Sequence, residues 1–145
     1  MRRVLLTIIV CAAAAMIFAS GAAAQDKGNL SVKASPAFAE VLLRKTDLAA
    51  EAEAIGADHT DESPKILDLR YEIAGLERYL AKMLALTPTD TARLTIALGK
   101  LIVKRMSLDA ELSRLSRTLN SAHPDYKRAQ KRVAVFDAAI KEILP

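Results

Sequence analysis

Four of the chain's five prolines each follow a residue able to start a helix: Ser35-Pro36, Ser63-Pro64, Thr87-Pro88 and His123-Pro124. Proline at the first helical position gives up no hydrogen bond, because the N–H it lacks would have no partner there. The residue before it can cap the free amides of the first turn. The spacing therefore announces four helices. Thr87-Pro88-Thr89-Asp90 reads as a capping box with Asp in place of Glu. His123 is a weaker cap, but Asp125 puts negative charge in the first turn, where the helix dipole favours it.

Apolar residues at steps of three and four support the same division. The second segment carries Ile66, Leu69, Ile73, Leu76, Leu80 and Met83. The third carries Leu94, Leu98, Leu101, Leu108, Leu112, Leu115 and Leu119, with Arg105 as the one polar break and Ile102, Val103 and Met106 widening the stripe. The fourth carries Tyr126, Ala129, Val133, Phe136, Ile140 and Ile143. The first is weaker, with Phe38, Val41, Lys45, Leu48, Ala52 and Ile55, and Leu42 and Leu43 broadening its face. An all-α chain is predicted, with helices at about 36–56, 64–86, 88–120 and 124–144.

In an antiparallel pair, facing residues have numbers that share a common sum. Leu80 with Leu94, Leu76 with Leu98, Ile73 with Leu101 and Ile66 with Leu108 satisfy this for the second and third helices, and the same sum brings Gly75 level with Gly99. Ile55 with Ile66 and Leu48 with Ile73 join the first pair; Leu119 with Tyr126, Leu112 with Val133 and Leu108 with Phe136 join the last. Because heptads repeat, such matches recur every seven residues. The pattern predicts coiled-coil-like hairpins in an uneven, elongated up-down bundle. The competing arrangement is one long rod kinked at Pro88. In the bundle, the fourth helix covers only the second half of the third, leaving an apolar seam of Leu108, Leu112, Leu115, Leu119, Tyr126, Val133 and Phe136 for self-association or a partner helix.

The N-terminus bears on where the chain works. Arg2 and Arg3 precede an uncharged run from Val4 to about Ala19, and Ala22-Ala23-Ala24 supplies small residues before Gln25. This predicts a Sec-type signal peptide over 1–24 and a periplasmic or secreted product, the alternative being an uncleaved membrane anchor. A flexible segment at 25–35 and one helical domain at 36–145 follow. Cleavage removes the only cysteine, and with it any disulfide or thiolate chemistry. Loss of Arg2 and Arg3 also halves the formal charge of +4. Neither that charge nor a chain without tryptophan argues for nucleic acid.

Chemistry-bearing residues are few. Asp58, His59, Asp61 and Glu62 form a weak candidate metal loop, whose simpler reading is an acidic turn before a helix start. No nucleophile, base and acid arrangement stands out, so no enzyme and no cofactor is expected. Lys127, Arg128, Lys131 and Arg132 on the fourth helix, with Arg114 and Arg117 on the third, make a candidate patch for a membrane surface or an anionic glycan.

Two resemblances touch the C-terminal quarter. Residues 112–140, with the stretch LSRTLNSAHPDYKRAQKRVAVFDAAI, resemble the periplasmic coiled coil of polysaccharide chain-length determinant and co-polymerase proteins. The resemblance implies a coiled-coil role in the envelope, although that family's paired transmembrane helices have no counterpart here. His123-Pro124-Asp125 with Phe136 and Ile140 is similar to part of a J-domain. The preceding helix carries Asp109 and Glu111 rather than a mainly basic face, however, and the J-domain's first-helix features are not in place. The expectation is an exported, non-enzymatic helical scaffold or adaptor acting through coiled-coil contacts, the alternative being a binder of anionic lipid or polysaccharide.

Overall fold

The computed structural model describes residues 29–58 and 60–144. Among them the chain is all-helical. The elements are α1 (Pro36–Gly56), α2 (Pro64–Leu84), a 3-10 segment (Pro88–Arg93), α3 (Ile96–Thr118) and α4 (Pro124–Ile143). The expected signal peptide lies outside the described residues. No described helix is long and apolar enough to cross a membrane.

All four prolines open a helical element, but their neighbours cap in different ways. The Ser35 hydroxyl accepts from the Phe38 amide at 3.3 Å and donates to the Val32 carbonyl at 2.6 Å. Ser63 makes no side-chain cap. His123 accepts the Asp125 amide on Nδ1 at 3.2 Å, so His-Pro-Asp is a helix start. Upstream of Ser35, residues 29–33 are helical rather than a loose leader, and Val32 is buried in the core.

The third predicted helix begins later than expected. After Pro88 the chain makes only a 3-10 segment, breaks at Leu94 and starts α3 at Ile96, with Thr95 capping through a 3.3 Å bond from the Leu98 amide. Thr87 makes no cap to the backbone; its hydroxyl donates to Asp90 at 2.6 Å. Threonine is a poor interior helix former and a good cap, and Thr87, Thr89, Thr91 and Thr95 crowd this stretch. The later cap therefore wins. The break also frees the Leu94 carbonyl to accept the Ala37 amide of α1 at 3.2 Å.

The pairing of α2 with α3 sits one heptad from the predicted one. Asp68 meets Arg117, the Tyr71 hydroxyl meets Asp109 at 3.1 Å, and Gly75 faces Met106 where Gly99 was expected. Gly99 instead faces α1, against Ala37 and Glu40. Across α1 and α2, Arg44 meets Glu72 and Glu51 meets Lys65; across α3 and α4, Arg105 meets Asp137 and Glu111 meets Arg132. With α3 shortened, the last turn of α4 reaches the end of α2: Ile140 and Leu144 line a cavity with Leu86 and Tyr79. Arg105, in the first half of the shortened α3, lies 3.7 Å from Asp137 of α4, so the covering of α3 by α4 is not confined to its second half.

The third helix carries two apolar faces. Leu98, Gly99, Ile102, Met106 and Ala110 are buried; Gly99 touches α1 and Met106 touches α2. The heptad stripe read from sequence, from Leu101 to Leu119, includes Arg105, which turns to α4. The core gathers Phe38, Val41, Leu48, Leu69, Leu76, Met83, Leu98, Ile102 and Met106, with Ile140 the buried residue that α4 adds. Leu42 and Leu43, expected to widen the face of α1, are exposed. Glu72 is buried to 6% exposure and accepts from Arg44 Nε and Nη2 at 3.0 and 2.9 Å, a paired charge that the apolar pattern did not foretell.

Candidate functional site

Arg105 interrupts a leucine stripe, and that position forces a guanidinium into the space between helices. Its side chain is 20% exposed. Nη1 donates to Asp109 Oδ2 at 3.1 Å and lies 3.2 Å from the Met106 sulfur. Nε is buried, makes no hydrogen bond among the described residues, and stands 3.7 Å from Asp137 on α4, too far for one. Asp137 is also held by Lys141, one turn along α4, at 2.8 Å. From α2, Tyr71 donates to the same Asp109 oxygen that Arg105 uses. A polar network therefore runs from α2 through α3 to α4.

The network borders a cleft between α2 and α4. A hollow of about 200 Å³ is lined by Gly75, Arg78, Tyr79, Lys82, Arg105, Met106, Asp109 and Asp137. A larger one of about 420 Å³, sharing Tyr79, Lys82 and Asp137, continues along Ala85, Leu86, Ile140, Lys141 and Leu144. The Lys82 ammonium sits 5.5 Å from the Tyr79 ring centre. Burial pushes the Tyr79 phenol above its ordinary pKa; burial, then Asp109, does the same to Tyr71. The hydrogen bond from Lys141, helped by the charges of Lys141, Arg105 and Lys82, holds Asp137 below its ordinary value, and Asp137 raises Lys141.

These shifts set a pH dependence. The ionised Asp137 adds stability above the unfolded aspartate value of about 3.9, and that stability is lost as pH falls through the lower folded value. The Lys141 contribution is present below about 10.4 and is lost as pH rises through its raised folded value. Asp137→Asn is expected to flatten both limbs of a plot of melting temperature against pH, followed by circular dichroism. Unchanged limbs would show that the pair does not couple to folding.

The residues singled out from sequence distribute unevenly. In the seam, Leu108 and Val133 are buried, while Leu112, Leu115, Leu119, Tyr126 and Phe136 are half-buried. The basic patch divides. Arg117 turns to Asp68 on α2, and Arg114 lines a cavity with Arg44, Asp68 and Glu72. Arg128 pairs with Asp125 at 2.7 Å and Arg132 lies 3.6 Å from Glu111. Lys127 and Lys131 are exposed and make no ion pair among the described residues. His59 lies outside the described residues; Asp61 pairs with Arg70 at 2.6 Å, and Glu62 is exposed. No group of three metal-ligating side chains forms among the described residues.

Sequence reasoning missed Tyr79, Lys82, Asp137 and Lys141 as members of one cleft. The available signal was Arg105 itself, a cation in a leucine stripe with an acid one turn later at Asp109. Set against protein-family models, curated proteins and solved structures, the chain finds no match in any of the three.

Proposed function

We propose that this chain is an exported, non-enzymatic scaffold or adaptor of the cell envelope. It works as an up-down bundle of coiled-coil-like hairpins that takes a partner helix, or a second copy of itself, on the seam between α3 and α4. The observation that carries this reading is the row of half-buried apolar residues Leu112, Leu115, Leu119, Tyr126 and Phe136. Leucines that remain partly wet along one helical pair gain by docking an amphipathic helix, whose apolar face would complete their burial. The exposed Lys127 and Lys131 give that helix an acidic preference at its rim.

Light scattering on the purified chain tests the proposal. Dimers, or capture of an amphipathic acidic helix, should persist at moderate salt and be lost in Leu115→Asp. A monomer that captures no such helix overturns it. The second reading, an anionic lipid or polysaccharide held by Lys127 and Lys131, rests on those two exposed lysines making no ion pair among the described residues. It predicts vesicle or glycan binding that fades as salt rises and disappears when both become Glu.

A further inference from the structure

The cleft between α2 and α4 lies apart from the seam residues and has two chemically different ends. We infer that it binds an amphipathic anion, with a carboxylate head in the hollow beneath Arg105 and an apolar tail along α4.

The head end carries three cations, Arg78, Lys82 and Arg105, against two acids, Asp109 and Asp137. Arg78 and Lys82 make no ion pair among the described residues, and both line the hollow into which Arg105 projects. The two acids there are already engaged, Asp109 by Arg105 and Tyr71, and Asp137 by Lys141. Arg105 keeps one buried N–H without an acceptor. A buried donor left unpaired calls for an explanation, and an anion toward which the guanidinium turns on binding supplies one. A guanidinium favours a planar carboxylate, which can take two N–H groups side by side.

The tail end is apolar. Leu86, two residues past α2, Ile140 of α4 and Leu144, just past its end, wall the larger hollow, and its volume of about 420 Å³ falls in the range of small-molecule sites. Tyr79, Lys82 and Asp137 line both hollows, so the two adjoin and the inferred ligand spans them. The position of Arg105 fits the same account. Most of the stripe is apolar, and a partly buried ionic network set into it gains the fold little over apolar packing of the whole cluster. The inference stands independently of seam docking, because none of the seam residues lines either hollow.

Calorimetric titration of the purified chain with decanoate, below its micelle concentration, should give saturable binding with one site per chain. Decanol, which has the tail without the charge, and acetate, which has the head without the tail, should each bind at least about tenfold more weakly, the difference expected from losing one or two charge-assisted hydrogen bonds or the buried tail. Arg105→Met should melt lower than the parent, because Asp109 and Asp137 lose a cation, and the folded variant should lose decanoate by at least about tenfold. Should Arg105→Met fail to fold, the surface change Lys82→Ser gives the same reading with little risk to the core. Absence of saturable decanoate binding, equal binding of decanol, or undiminished binding in the folded variants would overturn the inference. Leu115→Asp should leave decanoate binding intact, which separates this result from the fate of the seam.

Discussion

Gly99→Ala is expected to lower the stability of the chain by about 2 kcal/mol, even though alanine is the better helix former by about 1 kcal/mol. A Cβ at position 99 would stand 2.8 Å from Glu40 Cβ, 3.0 Å from the Ala37 carbonyl oxygen and 3.1 Å from Ala37 Cα. Two of those three atoms are backbone at the start of α1, so no rotamer change relieves the contact, and the helix itself must move. Gly75→Ala presents a different problem. Its Cβ would meet the Met106 methyl at 1.8 Å and the sulfur at 2.7 Å, so a flexible side chain must give way rather than a helix. Adding the shorter Met106→Val should recover much of the stability lost in Gly75→Ala, whereas Glu40→Ala should do little for Gly99→Ala. Urea titrations of the four variants decide the matter; equal losses, or a rescue at Gly99, would mean that α1 is free to shift.

The second large effect contrasts the two faces of α3. Ile102 is fully buried among the helices, and Ile102→Ala should cost about 3 to 4 kcal/mol through lost burial and the cavity left behind. Leu115 is half-buried, and Leu115→Ala in dilute protein should cost only about 1 kcal/mol, because water already reaches part of the side chain. If copies of the chain cover the seam, the cost at Leu115 must grow with protein concentration while the cost at Ile102 does not, since association stabilises by mass action. Denaturation at two well-separated concentrations measures this. A Leu115 penalty as large as that of Ile102 at the lowest concentration would show the seam to be closed within one chain.

Much of this behaviour is readable from the residues, and its limits have physical causes. Proline after a capping residue located the starts of α1, α2 and α4, because that placement acts within a single turn and needs no tertiary information. The same signal at Thr87-Pro88 failed for a local reason. Pro88 does open a helical segment, but the threonines beyond it favour a second cap at Thr95, and periodicity alone cannot weigh one cap against another. The stripes of α2 and α4 were visible, as was the one seen first on α3. The buried face from Leu98 to Ala110 was masked by the longer leucine run beside it. Register was beyond the pattern: a heptad looks the same after seven residues, so Gly75 was as well matched to Gly99 as to Met106, and only the lengths of the connection and of α3 distinguish them. The cleft was hardest to see, because Lys82 and Lys141 look like ordinary solvated charges until the fold sets α4 across the cleft from α2.

The bond from the Ala37 amide to the Leu94 carbonyl carries a kinetic consequence. Helices that follow one another in the chain meet after short loops close, but joining α1 to α3 encloses the whole of α2 and fixes far more chain entropy in one step. During synthesis the first helix must also wait for its third-helix partner to be made. Maturation of this protein should therefore finish, rather than begin, with the docking of α1 onto α3, and a slow last phase in refolding should report on Gly99 and Ala37.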